Sequence, residues 1–373
     1  MPSPGDLLVV GGSGVVGRRI AEHLAPDFPG RVLVAGRDAQ RARTVAQQIG
    51  HGARARAIDI EDGASIEAAL EGVGTVVACV AQREMHLLRA AIAQGLGYTD
   101  ISPRLAFWEG VEQMDAEARR TGARIVLGAG LSPGISNVMA KKLAASLGSI
   151  ERIETAILLS LGDEYGPDSL HHVLDAVSRP FTVFEHGRSR EALPMSEASR
   201  VRFPPPLGSK LAYLFPWSDV VYYPKTLGAR TAIGRFALEP AWAGHLMSLV
   251  MRAGKQNWLQ RPEFAGKDRS AIERLKRLYK SNDWFALVVT AEGDGRTAAM
   301  SLAGRRQAAV TAAGAGEIAR LIAAGEVSQP GVWLPEQVVS PNRFFEALAE
   351  LGYMAREETA SECNDCAARA SAQ

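Results

Sequence analysis

A glycine-rich turn near the start of the chain carries the clearest chemical signal in the sequence. Four apolar residues, Leu7 to Val10, run into the motif Gly12-x-Gly14-x-x-Gly17, and apolar residues at helical spacing follow. In a strand, turn and helix of this kind, Gly12 permits the tight turn and Gly14 lets the backbone approach a pyrophosphate. Gly17 lets the helix pack closely on the strand. The helix N-terminus also offers free N–H groups and a favourable dipole to phosphate oxygens. The residues predicted to bind a dinucleotide here are Gly12, Ser13, Gly14, Val15, Val16 and Gly17.

The end of the second predicted strand indicates which dinucleotide is bound. Sites specific for NAD usually carry an Asp or Glu there, bonded to the ribose 2′-hydroxyl. This chain has Gly36 and then Arg37, with Arg41 one helical turn further on. A guanidinium in place of a carboxylate suits a 2′-phosphate, so the sequence predicts NADP(H) as the cofactor. The alternative is that Arg37 is only a solvated charge of the loop.

The elements that must position these residues alternate between strand and helix through the first third of the chain. Such alternation predicts an α/β fold with a parallel, doubly wound sheet, the Rossmann architecture. After Gly128–Gly134 the pattern becomes richer in strands, with a hairpin predicted around Glu292–Gly295. This change predicts an inserted α+β domain with a mixed sheet. The predicted divisions are a Rossmann domain over residues 1–131 completed by 331–356, the inserted domain over 132–330, and a flexible tail over 357–373.

Residues at the carboxyl ends of parallel strands are further candidates, because open α/β sheets bind ligands beyond that edge. The fifth predicted strand ends with Asp100 and Ser102, whose carboxylate and hydroxyl could serve a reacting group. Cys79 at the end of the fourth is also open to a simpler interpretation, as an inert core residue. The residues expected to contact the cofactor at the ends of the third and fourth strands are Asp59, Cys79, Val80 and Ala81.

The composition is ordinary for a soluble globular enzyme of two domains. The 373 residues are 47% hydrophobic and 22% charged, and acids and bases are interspersed for a formal net charge of +1. We therefore expect no nucleic-acid partner and no membrane partner, since no apolar run approaches the length of a membrane span. The apolar stretch before the glycine turn is too short for a signal peptide, so a cytoplasmic location is expected.

No metal site is predicted. Cys363 and Cys366 form a C-x-x-C motif in polar, Ala/Ser-rich sequence with no second ligand pair, so a frayed tail is expected there. His171 and His172 are adjacent on a predicted helix and point in different directions, which makes them a poor metal pair. His171 is retained as a candidate proton carrier because an imidazole titrates near neutral pH.

Four stretches of the chain together resemble the saccharopine dehydrogenase-like family, in its saccharopine reductase and carboxynorspermidine dehydrogenase branch. They are the Gly12–Gly17 turn, the segment Gly97–Ser102, the crossover Gly128–Gly134, and a C-terminal series through Gly304, Gln307, Thr311, Ala312, Gly325, Pro330–Val332, Pro335, Glu336, Phe344, Phe345 and Leu348. The resemblance implies an NADP-binding Rossmann domain, and an inserted domain that binds a small-molecule substrate and makes homodimer contacts. Members of the family form or cleave a secondary amine, through an imine, between an amino group and an aldehyde or keto acid.

The resemblance also implies roles for several candidate residues. Asp100, Ser102 and His171 are expected to be catalytic, with the Asp100 carboxylate stabilising a cationic imine and a neighbouring group handling the amine proton. An alternative role for Asp100 is that of a turn or helix cap. The branch has an acidic residue where this chain has Ser132, so the sequence departs there from a glutamate-type pocket. The expected substrate-binding residues are Ser132, Arg230 and Arg235, each arginine having a surface ion pair as its alternative.

The expected function is that of an NADP(H)-dependent oxidoreductase that transfers hydride to or from a C–N centre of an amino-acid or polyamine-like substrate. Two alternatives stay open: an enoyl (C=C) reductase of the same superfamily, and a non-catalytic NADP-binding sensor or interaction protein. The first would have a larger, wholly apolar pocket, and the second would keep no ionisable group near the nicotinamide. Analogy between folds does not separate these functions.

Overall fold

The computed structural model describes residues 5–82, 84–163, 173, 175–254 and 282–359. Over these residues the chain divides into two compact units. The first unit holds the residues up to Ile135 together with Ala308–Ser340. The second holds Ser136–Gln307 together with the residues from Pro341 onward.

The described elements are numbered in chain order. The strands are β1 (Asp6–Val10), β2 (Val32–Gly36), β3 (Arg54–Ala57), β4 (Val73–Ala78), β5 (Gly97–Asp100), β6 (Arg124–Val126), β7 (Arg152–Ser160), β8 (Phe181–Glu185), β9 (Arg188–Ala192), β10 (Ala198–Phe203), β11 (Gly208–Leu214), β12 (Thr231–Glu239), β13 (Trp284–Gly293), β14 (Arg296–Arg305), β15 (Gly331–Trp333) and β16 (Arg356–Thr359). The helices are α1 (Val15–Leu24), α2 (Ala39–Ile49), α3 (Gly63–Leu70), α4 (His86–Ala93), α5 (Leu105–Glu112), α6 (Asp115–Thr121), α7 (Ile135–Ser146), α8 (Ser218–Thr226), α9 (Ala241–Arg252), α10 (Gln307–Ala323), α11 (Pro335–Val338) and α12 (Pro341–Glu350).

The strands of the first unit form one parallel sheet, seven-stranded over the described residues. Its order is β15-β6-β5-β4-β1-β2-β3, which is the Rossmann order with one strand added at the β6 edge. The central strands are continuous apolar runs, because a parallel sheet is covered on both faces. Leu7, Leu8 and Val9 of β1 and Val76 and Val77 of β4 are fully buried. The predicted doubly wound Rossmann sheet is confirmed.

A distant segment of the chain completes this first unit. Strand β15 pairs with β6, and α10 packs on β5 so closely that a Cβ on Gly97 would lie 2.5 Å from Cγ2 of Ile322. Almost every residue of α10 is buried. The helix therefore belongs to the core of the dinucleotide-type sheet, although nearly two hundred positions separate it from α6.

The second unit contains a mixed sheet, nine-stranded over the described residues. Its main path is β10-β11-β12-β7-β13-β14-β16, and β8 joins it through β12. Strands β12 and β7 run parallel, whereas the other pairs are antiparallel. Between β13 and β14 the two turn residues Asp294 and Gly295 have φ of 51° and 70°, as a type I′ hairpin requires. The predicted α+β unit with a mixed sheet and this hairpin is confirmed.

The boundaries of the two units differ from those predicted. Residues 308–330 were predicted in the inserted domain, but they carry α10 and lie in the first unit. Residues 341–356 were predicted to complete the Rossmann domain, but they carry α12 and lie in the second. Buried residues, most of them small and apolar, lie on all faces of α10. Its sequence therefore has no amphipathic stripe from which the unit it belongs to could be inferred. The predicted tail starts inside β16, which pairs with β14, and its residues from 360 lie outside the described part.

Candidate functional site

The glycine turn after β1 brings backbone atoms close together. Gly11 has the left-handed φ of 77° that turns the chain out of the strand. A Cβ on Gly17 would lie 2.4 Å from the carbonyl oxygen of Gly11, so α1 begins in contact with the turn. A Cβ on Gly12 would lie 2.8 Å from the carbonyl oxygen of Val9. The tight-turn role predicted for Gly12 therefore belongs to Gly11, whereas Gly12 is required for close packing on the strand.

The N-terminus of α1 suits an anion. Its N-cap is Gly14, which is exposed and supplies no capping side chain, and no acidic residue lies in the first turn. The first backbone N–H groups of a helix, here those of Val15, Val16 and Gly17, have no partner within the helix. Such N–H groups and the helix dipole bind phosphate oxygens. The residues present at this turn therefore fit the pyrophosphate of a dinucleotide.

The end of β2 carries guanidinium groups and no free carboxylate. The nearest acid, Asp38, caps α2 by accepting a hydrogen bond from the backbone N–H of Arg41 at 2.9 Å. The Arg41 side chain turns back to the glycine turn, where Nη2 donates to the carbonyl oxygen of Ser13 at 3.0 Å. Arg37 is exposed directly after Gly36. One guanidinium at the strand end and one docked on the turn fit a ribose 2′-phosphate.

Among the candidates after β4, Val80 lies against the glycine turn. The backbone N–H of Cys79 donates to the carbonyl oxygen of Val10 at 2.9 Å, and a Cβ on Gly11 would lie 2.7 Å from Cγ1 of Val80. Ala81 is exposed. Burial, with the charge of Asp100 added, raises the pKa of the Cys79 thiol to about 12. This thiol stays protonated at neutral pH and is a poor nucleophile.

Asp59 stands apart from these residues. It is exposed beyond β3, the strand at the far edge of the sheet from β15. Its Oδ1 accepts from the backbone N–H of Glu61 at 3.1 Å, so the carboxylate stabilises its own turn. Its contact with a cofactor stays a prediction.

A buried carboxyl group lies at the carboxyl end of β5. Asp100 is 1% exposed and in register with Ala78 of β4, which is in register with Val10 of β1. Two strand spacings, about 10 Å, therefore separate it from the residue that enters the glycine turn. Its Oδ1 accepts hydrogen bonds from the backbone N–H groups of Ser102 at 2.9 Å and Gly128 at 3.3 Å. Its Oδ2 is also buried, and no hydrogen-bond donor of the described residues reaches it.

The environment of Asp100 gives it a proton affinity unusual for a carboxyl group. Burial raises its pKa to about 7, against the opposing effect of hydrogen bonds from the backbone N–H groups of Ser102 and Gly128. A group with this pKa can hold or release a proton near neutral pH. The Tyr98 hydroxyl in turn accepts a hydrogen bond from Nε2 of Gln82 at 2.6 Å.

Sequence reasoning selected the segments that contain Gln82 and Tyr98, namely the loop after the fourth strand and Gly97–Ser102, but it gave neither side chain a role. Side chains alternate between the two faces of a strand, so Tyr98 lies on the same face as Asp100, which follows it by two residues. This alternation could have identified Tyr98 as a neighbour of Asp100. Gln82 lies in the loop after β4, where no periodicity specifies the direction of a side chain. Its pairing with Tyr98 depends on tertiary structure alone.

Backbone contacts fix the turn after Asp100 against the crossover. The Ala129 N–H donates to the Asp100 carbonyl oxygen at 2.6 Å, and Nε1 of Trp108 donates to the Ser102 carbonyl oxygen at 3.0 Å. Gly128 has φ of 67°, and a Cβ there would lie 2.2 Å from Cζ2 of Trp108. The bond from the Ser102 N–H to Oδ1 is the turn cap considered as an alternative role for Asp100. One carboxylate oxygen has a structural role, and Oδ2 is the oxygen left for chemistry.

The predicted substrate-binding residues belong to different units of the chain. Ser132 is half-buried in the crossover of the first unit, and Arg230 is exposed just before β12 of the second. Arg235, within β12, is 8% exposed, with Nε 3.0 Å from Oε1 of Glu154. Oε2 of the same glutamate pairs with Arg152 at 2.7 Å. Glu154 is therefore shared by two guanidinium groups and offsets only part of their charge, and substrate binding by Arg235 stays a prediction.

The remaining candidates lie outside the described residues: His171, His172, Cys363 and Cys366. Among the residues that are described, no group of three or more His, Cys, Asp or Glu side chains is arranged to hold a metal ion. None of the helices in the described part is both long enough and apolar enough to cross a membrane.

Comparison with known proteins identifies the first unit. Residues 7–145 match the family model of the saccharopine dehydrogenase NADP-binding domain. No curated protein sequence matches the chain. The match confirms NADP(H) as the cofactor and covers the glycine turn, Arg37, Arg41 and Asp100.

A solved structure of a yeast enzyme resembles nearly the whole chain in fold. Apo, histidine-tagged saccharopine dehydrogenase (L-Glu forming) from Saccharomyces cerevisiae has a TM-score of 0.68 at 16% identity, and the match covers 95% of this chain and 99% of that one. GenD2 from gentamicin A biosynthesis, in complex with NAD, has a TM-score of 0.45 at 17% identity over 95% of each chain. A dehydrogenase (MviM) from Clostridium difficile has a TM-score of 0.44 at 8% identity, covering 94% and 98%.

The family model and the yeast structure agree with the geometry of the first unit. An NADP site needs a Rossmann sheet, a glycine turn that can bind phosphates, and arginines at the end of the second strand. Together these findings support an NADP-dependent oxidoreductase. Residues 7–145 therefore belong to the saccharopine dehydrogenase NADP-binding domain family, and the fold of the chain is similar to that of the yeast saccharopine dehydrogenase.

Proposed function

We propose that the protein transfers hydride to or from a C–N centre, reducing an imine or oxidising a secondary amine of an amino-acid or polyamine-like small molecule. The observation that carries this proposal is the buried Asp100 carboxyl at the carboxyl end of β5, with a pKa of about 7, in an NADP-binding domain. The expected working form, a homodimer in the cytoplasm, rests on the sequence resemblance and is part of the same proposal.

The two carboxyl oxygens of Asp100 have different roles, one structural and one chemical. Backbone N–H groups of Ser102 and Gly128 hold Oδ1, so the proton of the acid form resides on Oδ2. In the reductive direction the acid form delivers its proton to the imine nitrogen, and the carboxylate that remains stabilises the positive charge of the resulting iminium; in the oxidative direction the carboxylate takes this proton back. When bound, NADP(H) supplies or accepts the hydride. A carboxyl that populates both forms near pH 7 can perform both tasks in one cycle.

The polar character of this strand end favours C–N chemistry over the two alternatives. Asp100 ends β5, and Gln82 in the loop after β4 donates to the hydroxyl of Tyr98, which precedes Asp100 by two residues on the same strand. An enoyl reductase would be served by an apolar surface at this edge. A sensor that only binds the dinucleotide would need no ionisable group there. The titratable carboxyl supports a reaction in which charge and a proton are handled.

The test begins with a screen of amines paired with aldehydes or keto acids, followed by NADPH consumption. We expect at least one pair to be turned over. In the variant Asp100→Asn the shape and the Oδ1 contacts are preserved but the charge is removed. It should keep its NADPH affinity and melting temperature and lose about 100-fold in turnover, the scale of a single electrostatic stabiliser.

A matched control is Asp62→Asn, which removes an exposed carboxylate that caps α3 by accepting a hydrogen bond from the backbone N–H of Ala64 at 3.1 Å. Its turnover should stay within a factor of two or so of the unmodified protein. Unchanged turnover in Asp100→Asn would contradict the role given to Asp100. Reduction of an enoyl compound, with every amine and carbonyl pair inactive, would assign the protein to the other reaction class.

A further inference from the structure

We propose that His23 makes the packing of α10 on α1 sensitive to mild acid: the neutral imidazole holds α10 in place, and protonation of the ring loosens the helix from the NADP-binding unit. The inference goes beyond the proposed function, because it concerns the regulation of this unit and holds for any reaction that the unit serves. It rests on the contact between the imidazole and Gly316 and on the hydrogen bonds of the charged groups around them.

The imidazole of His23 packs on α10 where that helix has no side chain. His23 lies in the last turn of α1. A Cβ on Gly316 would lie 2.3 Å from Cδ2 of the imidazole and 3.3 Å from Nε2. The ring therefore lies against the bare backbone of α10, in a space that any larger residue at position 316 would fill. Both helices belong to the first unit.

The ring nitrogen nearest to α10 has no hydrogen-bond partner among the described residues. Nε2 of His23 is buried and unpaired there. In a neutral imidazole one nitrogen carries no proton, so Nε2 can be that nitrogen. Protonation of the ring makes both nitrogens donors. The protonated ring would then bury a charged N–H without an acceptor, which costs more free energy than burying a neutral unpaired group.

The carboxylate that follows Gly316 on α10 is already engaged by another cation. Glu317 is 1% exposed, and Arg320 donates to both its oxygens, from Nε to Oε2 and from Nη2 to Oε1, each at 2.8 Å. Arg320 is also 3.2 Å from Glu326. A buried carboxylate held by a bidentate guanidinium is not free to turn to a second cation. A protonated His23 must therefore compete with Arg320 for Glu317.

The charges around His23 act in both directions. Burial has the largest effect and lowers the pKa of His23 below its ordinary value of 6.5, and the positive charge of Arg320 acts in the same direction. The negative charges of Glu317 and Asp27 oppose them, as does the dipole at the C-terminal end of α1. Arg19, one turn earlier on α1, brings a further positive charge to the same face. The folded protein therefore holds the neutral ring at neutral pH and resists its protonation.

A looser α10 would affect the elements on both sides of Asp100. A Cβ on Gly97 of β5 would lie 2.5 Å from Cγ2 of Ile322, and a Cβ on Gly314 would lie 2.9 Å from Cγ1 of Ile135, directly after the crossover. Helix α10 thus packs on the strand that ends in Asp100 and on the segment that follows it. A proton on His23 would weaken the packing of α10 on all of these elements.

The first measurement is amide hydrogen exchange by mass spectrometry on the full chain at about pH 7.5 and about pH 5, corrected for the intrinsic exchange rates. Peptides of α10 should lose protection at the lower pH. In His23→Gln, which is neutral at every pH, this loss should be absent. The matched control is His86→Gln, because His86 is an exposed histidine at the start of α4 in the same unit. It should lose protection as the unmodified protein does.

Stability supplies the second readout. Above pH 6.5 the ring is neutral in the folded and the unfolded chain, so its contribution to stability is complete there and is lost as pH falls through the lower folded pKa. The urea midpoint of the unmodified protein should therefore fall relative to that of His23→Gln between about pH 7.5 and about pH 5. Proton NMR of the ring gives the folded pKa, and the exchange of α10 should increase about tenfold for each pH unit by which that value lies below 6.5.

The contact itself is tested by Gly316→Ala, whose methyl must displace the ring. It should lower the urea midpoint of the unmodified protein and have little effect when combined with His23→Ala. A midpoint difference between the unmodified protein and His23→Gln that does not change with pH overturns the proposal. Protection of α10 that is equal at both pH values, or a ring pKa at or above 6.5, overturns it too. The exchange and NMR measurements on the unmodified protein carry the test if His23→Gln does not fold.

Discussion

The side chain of Arg41 is bound to the backbone of Ser13, with Nη2 donating to the carbonyl oxygen at 3.0 Å across 28 residues of sequence. This bond joins the first turn of α2 to the glycine turn after β1. It places a guanidinium beside the phosphate-binding loop before any ligand arrives. The adenosine end of the cofactor is therefore recognised by a preformed positive surface, to which the exposed Arg37 adds a second charge.

Cofactor preference follows from these charges. NADPH should bind roughly 10- to 150-fold more tightly than NADH, which corresponds to a charge-assisted hydrogen bond of about 1.5–3 kcal/mol. Arg37→Asp should reverse the order, and Arg41→Ala should weaken NADPH alone. Fluorescence titration with both cofactors measures the constants. Arg43→Ala is the control, because Arg43 lies on α2 and bonds only Gln40 among the described residues. Equal affinities in the unmodified protein would contradict the assignment.

Close packing at Gly17 predicts a stability effect. In Gly17→Ala the new methyl would lie 2.4 Å from the Gly11 carbonyl oxygen, so the turn must shift, at a cost of about 1–3 kcal/mol. Urea unfolding should show this loss, and NADPH affinity should fall with it. Gly63→Ala at the start of α3, where no atom lies within 4 Å, should leave stability unchanged or slightly raised. Equal stabilities for the two variants would show that the turn adapts without cost.

The raised pKa of Asp100 predicts how stability depends on pH. Its ordinary value of 3.8 applies to the unfolded chain, and about 7 applies to the folded protein. Between these values the folded state binds more protons, so this group's contribution is complete below about pH 4 and is lost as pH rises through 7. The loss amounts to about 4 kcal/mol at most. Relative to Asp100→Asn, the unmodified protein should be less stable at pH 8 than at pH 5, as measured by urea unfolding. A constant difference would contradict the buried, protonated carboxyl.

The pairing of β16 with β14 predicts where the chain can be shortened. Ending the chain after Thr359 retains all four paired residues of β16 and the 3.3 Å ion pair between Lys142 and Glu357. Its melting temperature and NADPH affinity should equal those of the full chain. Ending it after Ala355 removes the strand and leaves β14 as an open edge, so the melting temperature should fall by several degrees. A large loss in the longer truncation would show that residues from 360 onward pack on the protein.

The sequence was informative where local chemistry specifies structure. The turn from Leu7 to Gly17 and the hairpin at Asp294 and Gly295 could be predicted, because tight turns demand glycine at fixed positions. The missing carboxylate beside Arg37 predicted NADP(H) for a similarly local reason. By contrast, the place of α10 depends on contacts such as that of Ile322 with Gly97, which no periodicity encodes. The same limit applies to Gln82, which lies in a loop and whose hydrogen-bond partner, Tyr98, lies on β5.

The return of α10 and β15 to the first sheet has a consequence for how the chain acquires its fold during synthesis. When residue 135 has been made, β6 still presents a bare edge, and the β5 surface around Gly97 lacks its covering helix. The dinucleotide-binding unit must wait for some two hundred further residues before both gaps are filled. Because open strand edges recruit other chains, the nascent protein passes through a stage in which aggregation competes with folding. Function at the glycine turn thus depends on a segment that the ribosome makes some two hundred residues later.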